Sequence, residues 1–226
     1  MTQPRPRPLL LGHRGARALK SIPENTLASF DQALADGCDG FEFDLRITAD
    51  GRPVVCHDSR IDDPKTGSVE IAQASAEQLS GLPQLQQVLT RYQESAFLDL
   101  ELKVPGLEKI AAILLQEHTP RRGFVVSSFL PEVLQAVHAE SARLPLGLIC
   151  ETKAELRSWS RLPIDYVIPY YKIANAALIR ALRDAGKKIL VWTVNVPADM
   201  KRFAEAGVDG IISDDTSMLC RTVGAH

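Results

Sequence analysis

Glu42, Asp44 and His57 crowd into Gly40–Asp58, GFEFDLRITADGRPVVCHD. Glu42 and Asp44 alternate with Phe41, Phe43 and Leu45, so an extended chain puts both acids on one face and the apolar residues on the other. Thr48, Ala49, Asp50 and Gly51 carry turn chemistry, and Pro53 to Cys56 returns as a short strand that ends at His57. Carboxylates ~4 Å apart at an effective dielectric of ~20 repel by roughly 4 kcal/mol, so they need a cation, a basic side chain or a shared proton. Within this stretch alone, a structural pairing of Asp44 with Arg46, and of Glu42 with a distant base, serves as well as a reactive site.

Other segments supply complementary groups. Gly12-His13-Arg14-Gly15 closes an apolar strand, with glycines that permit a sharp turn and close approach of a ligand. FLDLELK, Phe97 to Lys103, repeats the alternation, with Asp99, Glu101 and Lys103 opposite Leu98, Leu100 and Leu102. Glu42, Asp44 and Glu101 form an all-oxygen donor set suited to one divalent cation, Mg²⁺ or Ca²⁺, rather than Zn²⁺. Arg14 and Lys103 add positive charge for phosphate oxygens, and His13 and His57 can divide the base and acid roles. Together these groups describe phosphodiester cleavage.

The elements that must position them alternate. Strands are expected at Leu9 to Gly12, Gly40 to Asp44, Phe97 to Glu101, Gly123 to Ser128, Leu146 to Cys150, Tyr166 to Pro169, Ile189 to Val194 and Gly210 to Ser213, with Pro53 to His57 as a hairpin return. Helical patterns lie between them, from the Leu27, Phe30, Ala33 and Leu34 stripe to Pro197 to Ala206, including one at Lys153 to Ser158. Glu24 and Asn25 can cap the first helix or orient a neighbouring catalytic group, the cap being the preferred reading, and Ile61 to Gly81 reads as a polar, turn-rich loop. This repetition indicates an α/β fold, a TIM (β/α)8 barrel with a short insertion after the second strand-hairpin unit. An open doubly wound sheet is the alternative, but no GxGxxG or P-loop follows the first strand. In the barrel, His13, Glu42, Asp44, Glu101, Lys103, Ser127, Ser128 and Trp192 all fall near the C-terminal ends of strands, the reactive face of such folds.

With 226 residues, 45% hydrophobic and 24% charged, the chain is of ordinary globular composition, read as an extended leader over 1–8 and one domain over 9–226. A net charge of −2 argues against a nucleic-acid surface. No apolar run approaches the ~18 residues of a membrane span, and MTQPRPRP lacks the apolar core of a signal peptide. Cys38, Cys56, Cys150 and Cys220 form no CxxC pair and are expected as reduced thiols in the cytoplasm, with Cys56 a packing residue.

GHRGA at Gly12 to Ala16, PENT at Pro23 to Thr26, the Gly40–Asp58 stretch, ELK at Glu101 to Lys103, SSF at Ser127 to Phe129 and VWTVN at Val191 to Asn195 closely resemble, in order, the glycerophosphodiester phosphodiesterase family. The resemblance runs from Gly12 to about Asp215. It implies a TIM barrel, a divalent metal on Glu42, Asp44 and Glu101, catalytic His13 and His57, substrate or phosphate contacts from Arg14, Lys103 and Ser128, and Trp192 as a wall of the glycerol site. It further implies a small glycerophosphodiester substrate whose 2-hydroxyl attacks phosphorus to give a cyclic phosphate that water opens. The segment after His57 is shorter than the family's insertion, and Ser213-Asp214-Asp215-Thr216 lacks the proline many relatives place near Thr216. A lysophospholipase D-like or phospholipase C-like barrel and a non-catalytic phosphate-ligand-binding barrel are the competing readings.

Overall fold

The computed structural model describes residues 7–63 and 67–224. β1 (Leu9–His13) feeds the GHRG turn, and α1 (Leu27–Ala35) follows it. β2 (Gly40–Ile47) folds back into β3 (Pro53–Val55), antiparallel with Leu45 opposite Val55. A separate hairpin, β4 (Arg60–Asp63) and β5 (Gly67–Glu70), precedes a 3-10 turn at Ile71–Gln73. Regular alternation then runs α2 (Leu85–Tyr92), β6 (Phe97–Leu102), α3 (Glu108–Glu117), β7 (Phe124–Ser128), α4 (Pro131–Glu140) and β8 (Leu146–Cys150). It continues through β9 (Tyr166–Pro169), α5 (Ala176–Asp184), β10 (Lys188–Val191), α6 (Pro197–Ala206), β11 (Gly210–Ser213) and α7 (Thr216–Val223).

The parallel strands pair in the order β1, β2, β6, β7, β8, β9, β10, β11, and β11 pairs with β1 again. That closure makes a TIM (β/α)8 barrel and leaves no exposed edge among those strands. Each strand divides its side chains by parity. Outward residues such as Phe41, Phe43, Leu98 and Leu100 join the helices in the main core, where Phe30 stacks on Phe41 at 4.1 Å. Inward residues Leu11, Phe97, Val125, Ile149, Tyr166, Ile168, Leu190 and Ile212 fill the barrel. The polar stripe of β6 is therefore internal, because its leucine face is the one that packs under helices.

Three expectations change. Thr26, not Glu24 or Asn25, caps α1, its side chain accepting from Ser29 N. The Ile61 to Gly81 segment is structured: Ile61 lies opposite Val69, and Ile71, Ala74 and Leu79 pack on Val54 and Cys56. Those apolar residues are too widely spaced among charges to register as a strand pattern. Between β8 and β9 the helical turn is 3-10, Glu155–Arg161, with Leu156 its buried residue. In the expected leader, residues 1–6 lie outside the described residues, but Arg7 is tied down by a two-pronged pair with Asp39 at 2.6 and 2.9 Å.

Candidate active site

The GHRG turn carries the first group. Arg14 (φ 53°) and Gly15 (φ 80°) adopt left-handed backbone. A side chain on Gly15 would collide with Ser29, whose Oγ would lie 2.3 Å from the added Cβ. The turn aims the Arg14 amide at Glu42, to which it donates at 3.0 Å, and places His13 Nε2 3.9 Å from the same Glu42 Oε2. His13 Nδ1 meets Asp214 Oδ1 at 2.7 Å, so the carboxylate keeps the proton on Nδ1 and leaves Nε2 facing the cavity. Asp214 is held in turn by Asn195 Nδ2 at 2.6 Å and Arg17 Nη1 at 3.2 Å.

From β2 and β6 come three buried acids, Glu42, Asp44 and Glu101. Register sets Asp44 beside Glu101, and one oxygen from each of the three lies within 4.8 Å of the others. Among the described residues, Glu42 Oε1, Asp44 Oδ1 and Glu101 Oε1 have no aligned hydrogen-bond donor. Lys103 Nζ stands 2.8 Å from Glu101 Oε1 and 3.3 Å from Asp44 Oδ1, off the line of a hydrogen bond to either orphaned oxygen. Three buried oxygens without donors are the arrangement a hard divalent cation completes, so the residues fit one.

Ionisation follows from this crowding. Burial, then the charges of Asp44 and Glu101, push the Glu42 carboxyl well above the usual carboxylate range. Burial and Asp44 likewise raise Glu101 to about 7, against the pull of Lys103. For Asp44 burial acts upward too, but Lys103, Arg14 and the Asn25 hydrogen bond outweigh it and hold the group low. Asn25, also left-handed at φ 57°, donates to Asp44 Oδ2 at 2.8 Å. Arg14 Nε stands 3.1 Å from that oxygen, while its Nη1 donates to Glu24 at 2.7 Å.

His57 enters from beyond β3. Its backbone carbonyl accepts from Arg46 Nε at 2.8 Å, so Arg46 anchors the histidine's backbone instead of pairing with Asp44. His57 Nδ1 meets Asp58 Oδ1 at 2.7 Å, again leaving Nε2 free. Partial burial lowers its pKa, against the upward pull of Asp58 and Asp44.

His13, Arg14, Glu42, His57, Glu101, Lys103 and Trp192 line one cavity of about 280 Å³, joined by Asp99, Phe129 and Glu151. Trp192 donates through Nε1 to Ile168 O at 3.0 Å and meets Phe129 edge to face at 5.6 Å, forming an aromatic wall. Ser128 does not join them. It is fully buried, donating to Leu102 O at 2.8 Å and accepting from Leu130 N at 3.1 Å. Its neighbour Ser127 points inward and donates to Asp99 at 2.6 Å. A larger recess of about 520 Å³ opens at the other end of the barrel, near Arg121, Arg122 and Lys188, away from the histidines and acids.

The model of the Glycerophosphoryl diester phosphodiesterase family matches residues 13–118 and 99–218. A glycerophosphodiester phosphodiesterase of Caldanaerobacter subterraneus subsp. tengcongensis is 30% identical over 95% of this chain and 97% of its own. The chain belongs to the glycerophosphodiester phosphodiesterase family. It is accordingly a phosphoric diester hydrolase. Among solved structures, the glycerophosphodiester phosphodiesterase of Thermotoga maritima superposes with a TM-score of 0.83 at 21% identity, covering 96% of this chain and 99% of that one. A phosphodiesterase of Oleispira antarctica, in complex with the product sn-glycerol-3-phosphate, gives 0.84 at 23% identity over 97% and 98% of the two chains.

Several groups around this phosphodiesterase site escape a reading of the sequence. Asp214 stands 201 residues from His13 in the chain, and only barrel closure brings them together. Asp58 adjoins His57, and that adjacency was a usable signal. Glu24 and Asn25, by contrast, take the orienting alternative that the sequence offered beside the helix cap.

Proposed function

We propose that the chain hydrolyses glycerophosphodiesters to sn-glycerol 3-phosphate and an alcohol by proton exchange through His13 and His57. The observation that carries this reading is the pair of imidazoles, each with Nδ1 held by an aspartate and Nε2 free, beside three buried carboxylates with orphaned oxygens. Glu42, Asp44 and Glu101 would hold one Mg²⁺ or Ca²⁺, which when bound supplies charge stabilisation to phosphoryl oxygens and acidity to a hydroxyl.

Arg14 and Lys103 give the cavity wall positive charge against which the phosphate sits. Its glycerol carbons lie toward Trp192 and Phe129, with the 2-hydroxyl poised for in-line attack on phosphorus. Neighbouring-group attack of this kind reaches effective molarities of about 10⁵ to 10⁸ M when well oriented. One imidazole Nε2 takes the hydroxyl proton, and the other, protonated, donates to the departing alkoxide. Each ends in the protonation state the other began with, which is the state needed for water to open the cyclic phosphate in the reverse sense. Asp214 and Asp58 keep both rings oriented throughout.

We infer a small substrate and not a membrane lipid. No described helix is long and apolar enough to cross a membrane, and the exposed large apolar side chains Leu19, Ile113 and Val196 are scattered along the chain. Four free cysteines fit a reducing compartment, and we assign the enzyme to the cytoplasm, as a single domain over residues 9–226. The deciding experiment is release of sn-glycerol 3-phosphate from glycerophosphocholine and glycerophosphoethanolamine with Mg²⁺, Ca²⁺ or EDTA. Metal-dependent release from both is expected. Full activity in excess chelator would overturn the metal assignment, and absence of release under every condition would overturn the substrate.

A further inference from the structure

Two of the four cysteines touch. Cys38 precedes β2 and is 7% exposed, Cys220 lies half-buried on α7, and their Sγ atoms are 3.7 Å apart although 182 residues separate them. The contact is built from both sides. α7 docks on the turn after α1, where Thr216 Oγ1 donates to Asp36 Oδ2. Gly37, at φ 102°, carries no side chain, and a Cβ there would lie 3.7 Å from Cys220 Sγ and 3.8 Å from its Cβ. The missing side chain lets the C-terminal helix settle directly over residues 37 and 38. Among the described residues, Cys56 and Cys150 have no comparable neighbour: Cys56 donates weakly to Asp58 O, and Cys150 is fully buried beside Leu148 O.

We propose that Cys38 and Cys220 are a modification site, a thiol pair that a hydroperoxide converts to a reversible disulfide. Closing from thiol contact to a bond of ~2.05 Å requires each sulfur to move by less than ~1 Å, which side-chain rotation supplies. Cys220 is the attacking group, because it is the more exposed of the two and its sulfur lies where a Cys38 S–H can donate to it. That hydrogen bond favours the Cys220 thiolate and disfavours the Cys38 one. Of the charges facing the pair, Arg7 favours a thiolate, and Asp36 and Asp39 oppose it.

In the first step the Cys220 thiolate attacks the peroxide O–O bond and becomes a sulfenic acid, while the departing oxygen takes a proton and leaves as alcohol or water. The Cys38 sulfur then attacks the sulfenic sulfur and its proton leaves with the hydroxyl as a second water. Two thiols are oxidised by two electrons and one peroxide is reduced. The product ties α7 to the start of β2, on either side of β1, which pairs with both β2 and β11. It therefore staples the barrel at its seam, at the end of β2 remote from Asp44. A dithiol reductant reverses it, as suits a transient disulfide in a reducing compartment.

The test treats the reduced full chain with stoichiometric hydrogen peroxide, blocks remaining thiols with iodoacetamide and maps peptides without reduction. Expected are loss of two thiols, a Cys38–Cys220 linked peptide, and a melting temperature higher by on the order of 5 to 10 °C that dithiothreitol reverses. C38S and C220S should each yield no internal link. Sulfinate at Cys220 without the link, no thiol loss, or a link through Cys56 or Cys150 would overturn the site. A linked form that melts no higher than the reduced one would overturn the staple. Because the wild-type map decides the pairing, failure of either variant to fold does not protect the proposal.

Discussion

Asp214→Asn tests the aspartate-held imidazole directly. Asp214 Oδ1 lies 2.7 Å from His13 Nδ1 and its side chain is 19% exposed, so little solvent competes for the contact. Burial works against its charge, but the His13 and Asn195 hydrogen bonds and the Arg17 charge outweigh it and hold the carboxyl far below the usual range. It is thus a full anion wherever the enzyme works. Asparagine keeps the shape and removes the charge. Its carbonyl accepts from Nδ1 more weakly, and its amide, if turned toward the ring, donates to Nδ1 and forces the proton onto Nε2, the nitrogen that must stay free. A hydrogen bond to a charged group contributes ~1.5–3 kcal/mol, which converts to a loss of about 10- to 150-fold in turnover. The assay is sn-glycerol 3-phosphate release from glycerophosphocholine at saturating substrate and at low substrate. The loss should appear in kcat with KM little changed, since Asp214 orients a proton-transferring imidazole and binds no substrate in this reading. Asp58→Asn is the internal control. That carboxylate is 78% exposed, so its pair with His57 is screened and worth ~0.2–1 kcal/mol, a loss of only about 1.4- to 5-fold. An Asp214→Asn enzyme within threefold of wild type, or no worse than Asp58→Asn, would refute the reasoning.

Three other outcomes follow from the same geometry. With donor oxygens within 4.8 Å of one another, repulsion between two fully charged carboxylates is at least about 3.5 kcal/mol at an effective dielectric of ~20, and the raised pKa of Glu42 reduces it. Glu42→Gln should therefore melt about 2 to 4 °C higher than wild type in EDTA, yet lose the stabilisation Mg²⁺ gives; a lower melting point in EDTA would contradict this. Glu101 and Asp99 both sit at about 7, so between the ordinary carboxylate pKa and 7 the native state holds protons the unfolded chain has released. Metal-free stability must then fall as pH rises from 5 to 8, the depressed His57 opposing with a single group; melting that rises over that range would show the acids are not crowded. Ser128→Ala breaks two buried hydrogen bonds without touching the cavity, so it should cost about 1 kcal/mol, roughly 2 to 4 °C in melting, and leave kcat/KM unchanged. Lost turnover at unchanged melting would return Ser128 to the phosphate site.

How much of this was legible depended on whether a group's placement follows from one strand or from closure. The shared face of Glu42 and Asp44, and of Asp99 with Glu101, follows from period two within single strands, and the structure keeps both. Ser127 and Ser128 differ by one position at the end of β7, so the motif SSF names the pair while parity alone decides which faces inward. Asp214 and Asn195 act on His13 from β11 and from the loop after β10, across the seam where β11 meets β1, and no local pattern encodes that contact. Glu24 and Asn25 are open to two roles in the sequence, and the cap is preferred over the orienting one because a helix start offers polar residues an ordinary role as caps. Here Thr26 takes that role, which releases Asn25 for Asp44 and Glu24 for Arg14. Among the described residues, Arg14 and Asn25 are the two non-glycine residues in left-handed backbone, and the side chains of both meet Asp44 Oδ2. Left-handed backbone at such residues persists only where the surroundings over-determine it. Cost is thus concentrated at one end of the barrel, in unfavourable dihedrals and unpaired acids. The stability that offsets it comes from the alternate positions of the same strands, where Phe41, Phe43, Leu98 and Leu100 pack fully buried under the helices. A one-residue slip of β2 would exchange these sets, so the pattern that builds the core is also what makes the acid cluster tolerable.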